Sequence, residues 1–153
     1  DDNRADWPRW QPVLANDRIK PTAADITWAR DAFRDLLRIR ASSTLFRLRT
    51  ADEVNQRLRF HNTGPDAVAG LIIGQLDGRG LAGAGFSQIV YLLNANAQPV
   101  SATVPALAGQ ALALHPVQRG AGAADQRARQ AAFDSATGRF EVPGRSAVVF
   151  VAD

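Results

Sequence analysis

The chain has 153 residues, a formal net charge of +3 and neither Cys nor Met; 46% of its residues are hydrophobic and 22% are charged. This composition is typical of globular proteins and excludes wholesale disorder, and the length suits one domain or a small domain with an appendage. The absence of Cys excludes disulfides and thiolate metal sites. Every apolar run is far shorter than the ~20 residues of a membrane span, so we expect no membrane partner.

The high isoelectric point, about 10.5, does not indicate a nucleic-acid partner. The 18 Lys and Arg residues barely outnumber the 15 Asp and Glu residues, and the arginines are scattered along the chain. A nucleic-acid footprint requires a basic cluster, so we expect none. The chain begins at Asp1 with polar residues, without Met and without a signal-peptide pattern, as an excised piece or a mature product would.

A helix is predicted from Pro21 to Ser43. Thr22 followed three residues later by Asp25 has the form of a capping box. Behind this start, apolar residues recur at helical spacing and predict one apolar face, namely Ile26, Phe33, Leu36 and Leu37, with Arg30, Asp31, Arg34, Asp35 and Arg38 on the solvated side. Because nothing in this segment covers that face, we expect the helix to pack on the rest of the chain or to self-associate through the four apolar residues.

The segment ahead of this helix combines Trp7 and Trp10 with two prolines and is predicted to be irregular. Two interpretations are open. The Trp rings could stack on sugar rings, which makes Trp7 and Trp10 candidate carbohydrate contacts, or they could pin a loop to a neighbouring surface. We favour the second interpretation, and we favour packing for Trp28 as well.

After Thr50 the pattern changes to short strands. Thr50 and Glu53 form a second capping-box pattern, predicting a short helix through Gln56. Eight strands are then predicted with turns but no helices between them, namely 57–62, 70–76, 88–94, 101–104, 110–115, 129–133, 139–142 and 146–151. This spacing indicates an antiparallel sandwich or barrel. The Gly/Ala-rich segments 78–85 and 119–125 are predicted to be mobile loops.

The sequence offers little for catalysis. His61 and His115 are the only imidazoles, and no His and Glu stand at zinc-ligand spacing. A glycosidase needs two carboxylates across one cleft, whereas Glu53 fits a helix cap and Glu141 an outward strand position. The Gly-x-Gly-x-x-Gly match at 78–83 has no helix after it, so it lacks the phosphate-binding context. We therefore assign no catalytic residue and no metal ligand.

Several stretches, taken in order, carry a family resemblance: Leu36-Leu37-Arg38-Ile39-Arg40-Ala41-Ser42-Ser43-Thr44-Leu45-Phe46-Arg47-Leu48, Arg57-Leu58-Arg59-Phe60-His61-Asn62-Thr63-Gly64, Leu112-Ala113-Leu114-His115-Pro116-Val117 and Val142-Pro143-Gly144-Arg145-Ser146. The chain resembles the C-terminal region of pullulanase-type α-1,6-glucosidases, which are starch-debranching glycoside hydrolases of the α-amylase superfamily. The resemblance covers nearly the whole chain.

This resemblance implies a mainly β fold, with a C-terminal antiparallel Greek-key β-sandwich of about seven or eight strands. An amphipathic helix from the end of a (β/α)8 barrel would precede it. Residues 1–50 would then end the catalytic barrel and residues 51–153 would form the sandwich. The catalytic carboxylates of these enzymes lie upstream, so the resemblance implies no catalytic residue and no cofactor here, with calcium left open for the parent enzyme.

Three hypotheses follow. The chain is a non-catalytic part of a debranching enzyme, partnered by the parent's own barrel and meeting α-glucan only through the parent. Alternatively, it is an α-glucan-binding module using Trp7, Trp10 or a strand aromatic such as Tyr91. The third reading is an unrelated interaction domain, because a sandwich fold alone implies no function. The compartment stays open, since enzymes of this family are secreted, surface-anchored or intracellular.

Overall fold

The computed structural model describes residues 2–153, so Asp1, the first residue of the predicted N-terminal segment, lies outside the described part. The chain begins with helix α1 (Trp7–Leu14) and continues into the longer helix α2 (Ala23–Ala41). The prediction of irregular structure around the two Trp residues was wrong, because this stretch forms eight helical residues. Pro8 lies in the first turn, where its missing N–H costs nothing, and Pro12 lies close to the end of the helix.

Helix α2 begins as predicted. Thr22 Oγ1 accepts a hydrogen bond from the Asp25 N–H at 3.2 Å, and Asp25 Oδ2 accepts one from the Thr22 N–H at 2.8 Å. Two of the amide groups that a helix start leaves unpaired are thereby satisfied. The helix ends at Ala41, two residues before the predicted limit, and its C-cap Ser42 donates its N–H to the last carbonyls.

The face of α2 that contacts the rest of the chain differs from the prediction. Asp35 and Ile39 are the buried residues of this helix, whereas Asp35 had been assigned to the solvated side. The predicted apolar face is exposed instead. The exposed fraction is 59% for Ile26, 61% for Phe33, 43% for Leu36 and 47% for Leu37. Helix α2 therefore packs on the sandwich through one face and leaves the opposite, apolar face uncovered.

The second capping box is confirmed. Helix α3 (Ala51–Arg57) follows Thr50, whose Oγ1 accepts from the Glu53 N–H at 3.1 Å while Glu53 Oε2 accepts from the Thr50 N–H. The two hydrogen bonds of this capping box join residues that lie within four positions of each other, so the sequence alone reveals it. A short 3₁₀ turn, Thr44–Arg47, connects α2 to α3.

The remaining chain forms eight strands in two antiparallel sheets, namely β1 (Leu58–Phe60), β2 (Leu71–Asp77), β3 (Gln88–Asn94), β4 (Val100–Thr103), β5 (Ala113–Leu114), β6 (Ala132–Asp134), β7 (Arg139–Val142) and β8 (Ser146–Ala152). One sheet has the order β1-β2-β3-β8-β5 and the other the order β4-β7-β6. The number of strands and the antiparallel pairing agree with the prediction. Helical residues make up 37% of the chain and strand residues 24%, because the N-terminal segment is almost entirely helical.

Two predicted strands are shortened by helical turns. The strand expected over 110–115 is reduced to β5, and His115 then caps a four-residue helix, α4 (Pro116–Arg119). The strand expected over 129–133 begins at Ala132, because a 3₁₀ turn over Gln126–Gln130 precedes it. The expectation that no helix interrupts the strands was therefore wrong, since Pro and the capping side chains favour local turns at these points.

The core has two parts, one on each face of the five-stranded sheet. Between the sheets, Phe140 and Phe150 meet edge to face, with ring centroids 5.3 Å apart. On the outer face a second buried cluster joins the N-terminal segment to the sheet; its buried members are Ile39, Leu45, Leu76, Ala84, Ile89, Val149 and Val151. The segment that contains α2 and the following turn is thus packed onto the sandwich by apolar burial.

Leu45→Ala is expected to lower the free energy of unfolding by about 2–5 kcal/mol, because Leu45 is only 2% exposed and its removal leaves a cavity. Leu14→Ala is the matched control, since Leu14 is 70% exposed and the same truncation should change stability by no more than about 0.5 kcal/mol. Urea unfolding followed by circular dichroism measures both. Equal effects of the two substitutions would contradict the packing described for the outer face.

Candidate functional site

The exposed apolar surface is concentrated in the N-terminal segment. Ten of the fourteen exposed large hydrophobic side chains lie between Trp7 and Leu37. Apolar patches of this kind on soluble proteins mark interaction surfaces, whereas scattered apolar residues need no explanation. The candidate site is therefore a docking surface, and α2 carries its central part.

The contact between α2 and the sandwich centres on the backbone of one residue, Ala124. The Asp35 carboxylate accepts a hydrogen bond from the Ala124 N–H at 2.8 Å, and the Trp28 indole Nε1 donates to the Ala124 carbonyl at 3.1 Å. The Asp35 carboxylate also accepts a hydrogen bond from Arg38 Nη1 at 3.0 Å. Burial of a carboxylate is costly unless donors surround it, so these bonds explain why an acidic residue lies on the buried face.

Trp28 also contacts the basic side chain of Arg127, whose guanidinium carbon lies 5.4 Å from the ring centroid. The hydrogen bond to Ala124 attaches the indole to the loop 119–125, and the cation–π contact attaches it to the 3₁₀ turn that follows. The preference for packing over sugar stacking at Trp28 agrees with this geometry. The loop that had been predicted to be mobile is held by two residues of α2.

A buried histidine forms a second polar connection. His115 is 2% exposed; its Nδ1 accepts from the Val117 N–H at 3.2 Å, and its Nε2 lies 3.1 Å from Ser42 Oγ. Because Nδ1 is an acceptor, we assign the proton to Nε2, which donates to Ser42, and Ser42 Oγ in turn donates to the Ile39 carbonyl. Burial lowers the pKa of His115, which favours the neutral imidazole that this arrangement requires.

The turn after α2 is attached to the other Gly/Ala-rich loop, 78–85. Ser43 Oγ donates to the Ala84 carbonyl, and Thr44 Oγ1 donates to the Ala82 carbonyl at 3.2 Å. The Thr44 N–H also donates to the Gly83 carbonyl at 3.1 Å. The Ser43 and Thr44 hydroxyls of the N-terminal segment thus satisfy backbone carbonyl groups of a loop that has no β-sheet hydrogen bonds of its own.

The candidate carbohydrate contacts, Trp7 and Trp10, lie on α1. Each is 51% exposed, and together with Gln11 and Leu14 they line an open depression of about 580 Å³. The guanidinium groups of Arg4 and Arg9 lie 5.8 Å and 5.6 Å from the centroids of the Trp7 and Trp10 rings. The two indoles contact arginines of their own segment and point into an uncovered surface.

The two glutamates take structural positions. Glu53 accepts the Arg49 and Thr50 N–H groups, and these bonds lower its pKa. Glu141 accepts a hydrogen bond from Ser101 Oγ at 2.7 Å and lies beside Arg139, and both contacts lower its pKa. A glycosidase acid needs a raised pKa, so neither glutamate has the environment of a general acid.

Two further observations concern ions and membranes. Among residues 2–153, no three His, Asp or Glu side chains come close enough together to hold a metal ion. No helix in the same range is both long enough and apolar enough to cross a bilayer.

Sequence reasoning missed Asp35 and His115 as contacts between α2 and the sandwich, and it favoured packing for Trp28 without identifying its partner Ala124. The partner of Asp35 lies 89 residues away and is a backbone amide, which has no side-chain signature. The only local hint of this contact was the acidic side chain of Asp35 itself. An i, i+3 ion pair with Arg38 on a solvated helix face accounts for that side chain equally well, so the sequence did not indicate a buried position.

Comparisons with known proteins agree with this architecture. The family model for the C-terminal region of pullulanase-type alpha-1,6-glucosidases matches residues 1–153. The chain is 41% identical over 156 residues to chloroplastic pullulanase 1 of Arabidopsis thaliana, covering 97% of this chain and 16% of that protein. It is 36% identical over 104 residues to the pullulanase of Klebsiella pneumoniae, covering 67% of this chain and 10% of that protein.

Solved structures give the same result. PulA from Klebsiella oxytoca superposes with a TM-score of 0.73 at 29% identity, over 86% of this chain and 12% of that chain. The maltotriose complex of PulA from Klebsiella pneumoniae gives a TM-score of 0.74 at 28% identity, over 86% of this chain and 14% of that one. The chain thus spans less than a fifth of the length of these relatives, and it belongs to the family of C-terminal domains of pullulanase-type α-1,6-glucosidases.

Proposed function

We propose that this chain is the non-catalytic C-terminal portion of an enzyme that hydrolyses α-1,6-glucosidic branch linkages in glucans of the pullulan, starch or glycogen type. Its role is to stabilise the catalytic region by packing against it. The observation that carries this proposal is the two-faced helix α2, which is attached to the sandwich through Asp35 and Ile39 while its opposite face exposes Phe33 and Leu37.

The proposal assigns residues 1–50 to the end of the catalytic (β/α)8 barrel and residues 51–153 to a Greek-key sandwich. In this arrangement α2 is the last helix of the barrel, and the barrel covers the apolar face that this chain leaves exposed. A helix buried on two opposite faces by two different bodies transmits stability between them, because unfolding either body exposes apolar surface of the helix. The substrate reaches this chain only through the parent enzyme.

The exposed apolar face yields a direct test in the full-length enzyme. Phe33→Ser is expected to lower the stability of the complete enzyme by about 1.5–3 kcal/mol, the contribution of one buried large side chain. Thermal inactivation of pullulan hydrolysis measures this effect. Arg34→Ser is the control on the same helix, because the Arg34 side chain lies on the flank and is 57% exposed. Identical inactivation rates for the two variants would refute the docking role of this face.

The buried histidine predicts a pH dependence of stability. The pKa of His115 is lowered in the folded chain, so between that pKa and the ordinary value of about 6.5 the unfolded chain binds the additional proton. The contribution of His115 is therefore complete above the ordinary pKa and decreases as the pH falls below it. Protonation of Nδ1 also removes the acceptor for the Val117 N–H.

Urea unfolding of the unsubstituted chain and of His115→Gln, each between pH 8 and pH 5, isolates this contribution. The carboxylates are common to both proteins, so their effects cancel in the difference. We expect the stability difference between the two proteins to shrink as the pH falls. A difference that stays constant over this range would show that His115 does not titrate with folding.

A second candidate function, an α-glucan-binding module, is favoured by the half-exposed Trp7 and Trp10 on one open surface. Isothermal titration of the chain with maltooligosaccharides separates the two proposals. If the surface is a docking surface, millimolar sugar should release no heat. Binding heat that disappears in Trp10→Ala but persists in Trp28→Phe would instead establish the glucan-binding function.

A further inference from the structure

The outer face of the five-stranded sheet has an uncovered apolar corner. Phe60, Ile72 and Leu93, from the three consecutive strands β1, β2 and β3, are 53%, 48% and 41% exposed. In the register of the sheet, Ile72 is opposite Leu93, and Phe60 is opposite Gly74 in the neighbouring row. We call this surface, defined by Phe60, Ile72, Leu93 and the adjoining Tyr91, the sheet corner.

The sheet corner has a flat floor. A Cβ atom at Gly74 would lie 2.1 Å from the ring of Tyr91, so the Tyr91 ring lies directly across the Gly74 backbone. The two rows of the sheet that cross this corner contain no charged residue. A flat, uncharged, apolar area on a chain with 22% charged residues has the character of an interface core.

The sheet corner and the exposed face of α2 both reach one cleft between the sheet and the helix. The row that begins with Ile72 and Leu93 continues to Ala147 on β8. Ala147 and Leu36 line the same narrow cleft of about 60 Å³ between the sheet and α2. Leu36 is itself 43% exposed and belongs to the apolar face of the helix. The same cleft is also lined by Asp35 and Asp125, so the two apolar areas meet at its edges and do not form one unbroken surface.

We propose that the sheet corner is a second part of the surface that packs against the upstream region of the same polypeptide. The inference rests on the proposed function, because it assigns the occupant of the exposed α2 face to the neighbouring sheet corner as well. That occupant is large enough, since this chain spans only 16% of the length of its chloroplastic relative. The occupant contributes apolar side chains, because the sheet corner offers no charged group to pair with.

Cysteine accessibility in the full-length enzyme tests this inference. These 153 residues contain no Cys. The reaction of thiols elsewhere in the full-length enzyme is measured in the unsubstituted enzyme and subtracted, so the added signal reports on one position. Leu93→Cys probes the sheet corner, Phe33→Cys probes α2, and Thr103→Cys on the exposed side of β4 is the control. The maleimide reaction rate of each variant is divided by its own rate in urea, which removes intrinsic differences in thiol reactivity.

We expect the thiols at positions 93 and 33 to react at least about tenfold more slowly than the control, because each becomes accessible only when the interface opens. Slow reaction at position 33 with control-like reaction at position 93 overturns the inference and leaves the proposed function intact. Control-like reaction at both positions overturns both proposals. Should the variant at position 93 fail to fold, Ile72→Cys in the same row provides the same test.

Two other occupants give different results. Protection at position 93 that disappears on dilution would identify a second copy of the protein. Protection that appears only when maltooligosaccharide is added would identify a glucan stacked on Tyr91 and Phe60. Either result overturns the inference, whereas protection that depends on neither dilution nor sugar supports it.

Discussion

The central strands β3 and β8 carry apolar side chains on both faces, so both faces of the five-stranded sheet must be covered. Val90 and Phe150 point towards the small sheet, whereas Ile89 and Val149 point to the opposite side. A two-sheet sandwich covers only one of these faces. The N-terminal segment is needed for the other, and its buried residues Ile39 and Leu45 belong to the same cluster as the outer face of the sheet.

The orientation of the covering segment depends on polar groups as well as on apolar burial. Hydrophobic packing is not directional, but Asp35 and Trp28 bind the N–H and the carbonyl of a single residue, Ala124. The hydrogen bond from His115 to Ser42 connects the end of α2 to the strand end beside α4. These bonds determine which face of α2 is buried. The exposed apolar face of the helix is a consequence of that orientation.

The N-terminal segment covers the outer face of the sheet, but α2 leaves apolar side chains exposed on its own outer side. This exposed surface indicates that a further layer of protein packs against α2. The chain belongs to the C-terminal family of pullulanase-type α-1,6-glucosidases and spans less than a fifth of the length of its relatives. Under the proposed function, the rest of such an enzyme forms that layer. The local chemistry is consistent with a supporting role. Glu53 and Glu141 are held as ionised carboxylates by a helix start and an ion pair, as structural residues are.

The sequence by itself determined the features that depend on neighbouring residues. Both capping boxes, at Thr22 and Thr50, were predicted because each is complete within four residues. The strands β3 and β7 were predicted with their observed bounds, because their apolar residues and the turn residues that flank them are local signals. Helix α1 was missed, because its two prolines are typical of loops and only their positions within the helix make them tolerable.

The tertiary structure alone decided how these elements meet. The buried face of α2 could not be predicted from its apolar pattern, because Asp35 is bound there by a backbone amide in a distant Gly/Ala-rich loop. The same pattern predicted an apolar face with Phe33 and Leu37, and the structure leaves this face exposed. Its cover remains part of the proposed function. The helical periodicity of apolar residues indicates which side chains are buried away from water. It does not indicate whether this chain or the rest of a larger enzyme buries them.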